Sequence, residues 1–179
     1  MPDHHEDLFL RVCAHARQTA LLSSIQGLLE WDERTLMPPA AAEYRAEQIA
    51  GMTGMCHRRT SDAEYGRWLA ELAESSLAEP ADSDTAATIR RLRRDHLRAV
   101  KLPQKLVEEI ARTAVIAEKA WREAREKNDF PLFRPLLDKM LQLKRAQASA
   151  LGYERTPYDA LLDDYEPGAR TDQVAKVLR

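Results

Sequence analysis

The stretch PQKLVEEIARTAVIAEKAWREAREK, residues 103–127, decides the fold. Its apolar positions Val107, Ile110, Ala114, Ala117, Trp121 and Ala124 step by three and four, which lines them along one stripe of a helix. Such a stripe is the seam of antiparallel helix pairs. Pro103 suits an opening position, where an amide donor has no partner in any case, and Asn128-Asp129-Phe130-Pro131 stops the run. The spacing predicts a long bundle helix, so the segments on either side must supply the surfaces it packs against.

Downstream, residues 132–151 read as another helix, which Gly152 can terminate in a left-handed conformation. Thr156-Pro157-Tyr158 starts a short helix through Tyr165, and Glu166-Pro167-Gly168 ends it. Thr171 reads as the N-cap of a last helix whose Val174, Val177 and Leu178 begin an apolar face. A helix of about two turns is marginal alone in water, so that face predicts a covering surface.

Upstream, residues 85–101 place Ile89, Leu92, His96 and Ala99 on one side of a helix that follows a linker at residues 79–84. Ser61-Asp62-Ala63-Glu64 reads as a capping box for a helix ending near Ser76. Before it, a helix runs from the Met37-Pro38-Pro39 break to about Arg59, with Gly51 and Gly54 permitting close packing. The first helix covers about residues 7–29 on Leu8, Val12, Ala16, Thr19, Leu22 and Ile25, and leads into Trp31-Asp32. Strand-favouring residues occur singly among Ala, Leu, Glu, Arg and Gln. The reading is all-α: one helical domain over residues 1–179, an elongated bundle of about six to eight helices with long antiparallel pairs.

Composition narrows the function classes. With 44% hydrophobic and 31% charged residues and a mean hydropathy of -0.53, the chain fits neither disorder, nor a collagen-like repeat, nor a membrane span. Lys+Arg 27 against Asp+Glu 29 leaves no global pull toward nucleic acid or anionic lipid. Arg90, Arg91, Arg93, Arg94, Arg98 and Lys101 are locally basic, but Asp95 interrupts them and no aromatic residues interleave for base stacking. That face is expected to pair with acidic neighbours. Cys13 and Cys56 form no CxxC pair, and the acidic, polar N-terminal run lacks the pattern of a secretory signal. Reduced thiols and a cytoplasmic location are the expectation.

The histidines, His4, His5, His15, His57 and His96, include no HExxH and no second ligand at helical i+4 spacing, so they predict no local metal site. There is no GxSxG and no glycine-rich phosphate loop. Asp159, Asp163, Asp164 and Glu166 surround the short helix, with Asp159 and Asp163 on one face. Paired carboxylates perform acid–base chemistry when burial splits their pKa values. Without a partner histidine or metal they read as caps and ion pairs. Asp32, between Trp31 and Arg34-Thr35, reads as a cap, while Trp31, Trp68 and Trp121 read as core.

Four ordered blocks carry a family resemblance. Leu28-Leu29-Glu30-Trp31-Asp32-Glu33-Arg34-Thr35-Leu36-Met37-Pro38 resembles the "L-x-W-D-x-x-T-x-M-P" signature of the carboxypeptidase Taq family, the M32 metallocarboxypeptidases. Glu43, the run Arg45-Ala46-Glu47-Gln48-Ile49-Ala50, His57 and Thr60-Ser61 are similar to that family's second block, which Lys101-Leu102-Pro103 and Leu106-Val107 extend. Trp121-Arg122-Glu123-Ala124-Arg125, Asp129-Phe130 and Phe133 resemble the third. Pro157-Tyr158-Asp159-Ala160-Leu161-Leu162-Asp163-Asp164-Tyr165-Glu166-Pro167-Gly168 resembles "Y-D-x-L-L-D-x-Y-E-P-G".

The resemblance implies the N-terminal third of such an enzyme: a groove-capping helical domain without the zinc-site region. Family members remove C-terminal residues from peptides and carry their zinc ligands in an HExxH helix and a later glutamate, all downstream of the position matching Gly168. This chain alone is therefore expected to hold no cofactor and to be inactive. Expected partners are the missing catalytic part or a second copy, with peptide substrate only after complementation and neither membrane nor nucleic acid. The alternative is a stand-alone helical interaction or dimerisation protein. Trp31, Asp32, Thr35, Met37, Pro38, Arg45, His57, Tyr158, Asp159, Asp163, Tyr165, Glu166 and Gly168 are the motif residues, with architectural roles. Asp32 and Thr35 would fix the break after the first helix, and Tyr158 with Tyr165 would anchor the short acidic one.

Overall fold

Proline placement and side-chain caps divide this chain into helices whose ends differ from the sequence expectation in instructive ways. The computed structural model describes residues 4–178, and every α-helix or strand among them is a helix. The helices are α1 (His4–Thr35), α2 (Ala42–Thr60), α3 (Ala63–Ala73), α4 (Asp84–Ala99), α5 (Gln104–Lys127), α6 (Phe130–Leu151), α7 (Pro157–Leu162) and α8 (Thr171–Val177). The all-α expectation holds. None of the described helices is long and apolar enough to cross a membrane.

Several caps fall beside their expected positions. Asp62 caps α3, accepting from the Tyr65 amide at 2.8 Å, while the Ser61 hydroxyl donates backward to the His57 carbonyl at 2.8 Å. A carboxylate is the stronger acceptor for a helix N-terminus, and the serine closes the preceding helix instead. Ser83, whose hydroxyl accepts from the Ala86 amide, starts α4 at Asp84 rather than Thr85. Asn128, at φ 52, ends α5 in the left-handed region, and α6 then opens at Phe130 because Pro131 fits its first turn. Gly152 has φ 81 but ψ 147, so it ends α6 by turning to extended backbone rather than a left-handed helical turn. The short helix α7 stops at Leu162, before Tyr165, and Arg170 rather than Thr171 occupies the N-cap of α8.

Packing pairs the long helices antiparallel. Arg45 of α2 reaches the Leu29 carbonyl and Arg59 reaches the His15 carbonyl, so rising numbers in α2 meet falling numbers in α1. In the same way Glu47 meets Arg112, and Gly54 lies against Glu108, which sets α2 antiparallel to α5. The tight Asn128-Asp129 connection returns α6 along α5.

The interior forms three modest clusters. Leu8 and Val12 meet Tyr65, Leu69, Leu72 and Ile89 at the α1, α3 and α4 junction. Ala46 and Ile49 meet Val115, and Ala148 and Leu151 meet Ala160. The chain leaves 11752 Å² accessible, whereas a compact monomer of this mass exposes about 8800 Å². Apolar side chains contribute to that surface: Leu10, Leu21, Ile25 and Leu28 are exposed along α1.

Two of the three tryptophans expected in the core are not there. Trp31 is 57% and Trp121 43% exposed, whereas Trp68 packs against the first cluster under the Arg11 guanidinium. Helix α1 continues six residues beyond the expected end at Leu29, and that continuation turns position 31 outward and position 33 inward. Ile25, read as apolar-face, is likewise exposed.

Candidate functional site

The structure gathers the motif residues into two clusters. The first closes the break between α1 and α2. The Asp32 carboxylate lies 2.6 Å from an Arg45 guanidinium nitrogen, which also donates to the Leu29 carbonyl at 2.8 Å, while Arg45 Nε donates to Gln48. The Asp32 carbonyl accepts from both the Leu36 and Met37 amides, and the Thr35 hydroxyl donates to the Trp31 carbonyl. Those bonds satisfy carbonyls that a helix C-terminus otherwise leaves open. Pro38, at φ -62 and ψ 141, then swings the chain into the short 3-10 turn Pro39–Ala41. Asp32 and Thr35 thus both make bonds at the break, with Arg45 as the cross-helix partner.

The second cluster fastens the segment after α6 onto α4. The Asp163 carboxylate accepts from Arg94 at 2.7 Å, from Arg98 at 2.9 Å, and from the Gly168 amide at 2.8 Å. Arg98 also holds Asp164 at 2.7 Å and the Ala160 carbonyl. Gly168 sits at φ 79, a conformation that favours glycine, and so can point its amide back at Asp163. Burial pushes the Asp163 carboxyl upward, but the Gly168 amide, then Arg94 and Arg98, outweigh it and hold the group below its ordinary range. Asp159 accepts from the Thr171 hydroxyl and amide, and that hydroxyl chiefly lowers its carboxyl.

Carboxylates so fully supplied with donors are poor proton acceptors, so neither aspartate is arranged as a general base. The basic face of α4 meets its expected acidic neighbours here, and Arg91 pairs along its own helix with Asp95. Tyr158 and Tyr165 do not anchor the short helix: they are 57% and 86% exposed, Tyr158 on an open side of α7 and Tyr165 beyond its end at Leu162. Arg94 and Arg98 do the anchoring. Glu166 contributes backbone bonds to the turn.

His57 connects a third place. Its Nε2 lies 2.9 Å from the Leu102 carbonyl, and because a carbonyl only accepts, the ring nitrogen donates. His15 serves the Arg59 carbonyl and His96 the Thr60 carbonyl in the same manner. Three rings from α1, α2 and α4 therefore bond backbone carbonyls in the last turn of α2 or in the turn after α4.

That geometry also tests the chain against a metal. A ligating imidazole offers a free nitrogen lone pair and sits with two further donors. No group of three or more His, Cys, Asp or Glu suited to a metal occurs among the described residues. The donor set of the described residues does not fit zinc.

Glu33 was not singled out by its sequence. It is 7% exposed, and burial first and Glu118 second hold its carboxyl above the ordinary range. The signal was the helical period itself: Leu22 and Leu29 lead to position 33 once the first helix is carried past its expected end.

Among the described residues the chain is a helical bundle in which several motif residues tie helix ends together. The chain belongs to the carboxypeptidase Taq (M32) metallopeptidase family, whose model matches residues 11–179. Thermostable carboxypeptidase 1 of Thermus thermophilus is 36% identical over 168 residues, covering 88% of this chain and 33% of the relative. Thermostable carboxypeptidase 1 of Pyrococcus furiosus is 34% identical over 167 residues, again 33% of its length. The solved Pyrococcus furiosus carboxypeptidase matches with a TM-score of 0.78 at 30% identity, over 99% of this chain and 35% of that one. The Deinococcus radiodurans M32 carboxypeptidase matches with a TM-score of 0.74 at 31% identity, over 96% of this chain and 34% of that one. The chain thus spans about a third of the length of the relatives it matches.

Proposed function

We propose that this chain is the N-terminal, non-catalytic helical domain of an M32 carboxypeptidase, a wall over the peptide groove of an enzyme whose zinc ligands and general base belong to its remaining part. The observation that carries the reading is the coverage: nearly all of this chain maps onto only 35% of the solved Pyrococcus furiosus enzyme. The surplus accessible surface and the exposed Val177 and Leu178 at the end of α8 support it, since both are the faces a larger body would cover. On this reading the chain alone binds no zinc, cleaves no peptide, resides in the cytoplasm, and works on peptide C-termini only with its catalytic complement. The test is an assay of the purified chain on a blocked dipeptide with added Zn²⁺ or Co²⁺. The expected result is no release of the C-terminal residue; release that a chelator abolishes overturns the proposed inactivity.

A second reading, a stand-alone interaction or dimerisation protein derived from that family, rests on the apolar row Leu21, Ile25 and Leu28 along α1. Stable protein interfaces bury about 800 Å² per partner, within the surplus this chain exposes. Immunoblotting of a native cell extract separates the two. A band near 20.4 kDa favours the stand-alone protein, which light scattering should then find as a dimer; a much larger band favours the domain.

A further inference from the structure

Glu33 is 7% exposed as a residue and makes no hydrogen bond or ion pair among the described residues, while its carboxylate oxygens still reach open space; the fully enclosed side-chain oxygen without a partner is Thr113 Oγ1. Asp32, the next residue back, holds Arg45 at 2.6 Å, and Asp163 holds two arginines. Drawing a carboxylate partly out of water without a partner is costly, and proteins normally pair such a group or line a site with it. Glu33 lies on the wall of a cavity of about 360 Å³ between the end of α1, the start of α2 and the later half of α5.

The cavity has two kinds of wall. Met37, Pro39 and Ala42 make one apolar side. The other carries ionic groups of α5, most of them engaged: Arg122 holds Glu118 at 2.6 Å, and Glu123 holds Lys127 at 2.6 Å. Glu126 stands beside them without an ion pair among the described residues, and the exposed Lys119 also lies on that rim. Three lining carboxylates therefore face two lining cations. The arginines that act on Glu33, Arg122, Arg34 and Arg45, do not offset its burial and its repulsion by Glu118. An apolar wall ending at an unpaired acid matches an aliphatic stem ending in a cation.

We propose that this cavity binds a lysine or arginine side chain presented by another polypeptide segment, with the aliphatic stem on Met37, Pro39 and Ala42 and the cation on Glu33. The source is a polypeptide because the approach is flanked by exposed apolar surface: Leu36, at the end of α1 beside the cavity residue Met37, is 71% exposed. Anchors of this form, a long basic side chain seated in a pocket, are typical interface hot spots. The inference stands apart from the reading of the chain as a domain.

The test titrates the 179-residue chain with N-acetyl-arginine methylamide while following the Met37 and Ala42 methyl signals and the Glu33 carboxyl carbon by NMR. N-acetyl-citrulline methylamide, with the same outline and no charge, is the control. The arginine probe is expected to give saturable shifts at Met37 and Ala42 and to lower the titration midpoint of Glu33. The citrulline probe, or Glu33→Gln with the arginine probe, is expected to bind at least about tenfold more weakly. Lys119→Gln removes the competing cation and is expected to tighten binding. Equal shifts with citrulline, unchanged binding in Glu33→Gln, or no saturable shift in the parent overturns the proposal.

Discussion

Arg45 lies 2.6 Å from Asp32 and, through the same guanidinium nitrogen, donates to the Leu29 carbonyl at 2.8 Å, so one side chain of α2 fixes both the charge and the open backbone at the end of α1. The Arg45 side chain is only 15% exposed, which limits how well water could replace it. Arg45→Ala leaves Asp32 unpaired and the carbonyl short of a donor. It is expected to cost about 2 kcal/mol, or roughly 5 °C in Tm. Arg45→Lys keeps the charge but not the forked geometry, and should recover less than half of the loss. Urea denaturation of the three proteins measures both statements, and a full recovery by lysine would show that charge alone suffices.

Trp31 heads the same motif but faces outward. At 57% exposure it lacks the enclosure that makes truncation of an aromatic expensive. Trp31→Ala is expected to change stability by less than about 1 kcal/mol in this chain, where a core tryptophan would cost about 3–5 kcal/mol. A thermal melt several degrees below the parent would place the ring in an apolar enclosure that the structure lacks.

The contrast between Arg45 and Trp31 shows what the sequence could and could not disclose. Helical period and proline positions were enough for the all-α class, the antiparallel pairs and the long α5, because those signals are local. The facing of Trp31 and Glu33 was hidden, since it depends on α1 running past Leu29, and the Asp32–Arg45 pair that supports that extra length joins residues from two helices. The latch on Asp163 was half legible. Its carboxylates and the arginines of α4 were each visible, but only the fold brings Arg94 and Arg98 to them across more than sixty residues.

Close packing at two glycines gives opposite expectations for the same substitution. A Cβ on Gly66 would fall 2.3 Å from His96 Nε2, and that ring is buried and tied to the Thr60 carbonyl. Gly66→Ala should therefore displace His96 and cost about 2 kcal/mol, despite the better helix propensity of alanine. A Cβ on Gly54 would meet the far end of the Glu108 side chain, which can swing toward solvent. Gly54→Ala is expected to lie within about 1 kcal/mol of the parent. Equal melting temperatures for the two variants would mean that His96 is not held as the structure has it.

Asp163 makes the fold sensitive to acid. Its carboxyl is held below the ordinary value of 3.8, so the folded chain binds the proton less readily than the unfolded chain. The latch then contributes fully above that value and is lost as pH falls through the folded one. Asp163→Asn should melt below the parent at neutral pH, with the gap closing under acid conditions. Hydrogen exchange at the Gly168 amide, which donates to Asp163 in the parent, should speed up in the variant at pH 7. Exchange that stays at the parental rate would leave the latch without a part in holding that turn.

Glu33 has the opposite sign. Its carboxyl is held above the ordinary value of 4.5 by burial and by Glu118, against the pull of Arg122, Arg34 and Arg45. The folded chain binds this proton more readily, so the linked stability is complete below the ordinary value and is lost as pH rises through the folded one. Glu33→Gln keeps the shape and removes the charge. It is expected to melt above the parent by about 2–4 °C at pH 7, corresponding to roughly 1 kcal/mol, and to match it near pH 4. Thermal melts of both proteins across that range are the measurement. A variant less stable than the parent at pH 7 would mean that the ionised carboxylate is held by a partner and is not a cost to the fold.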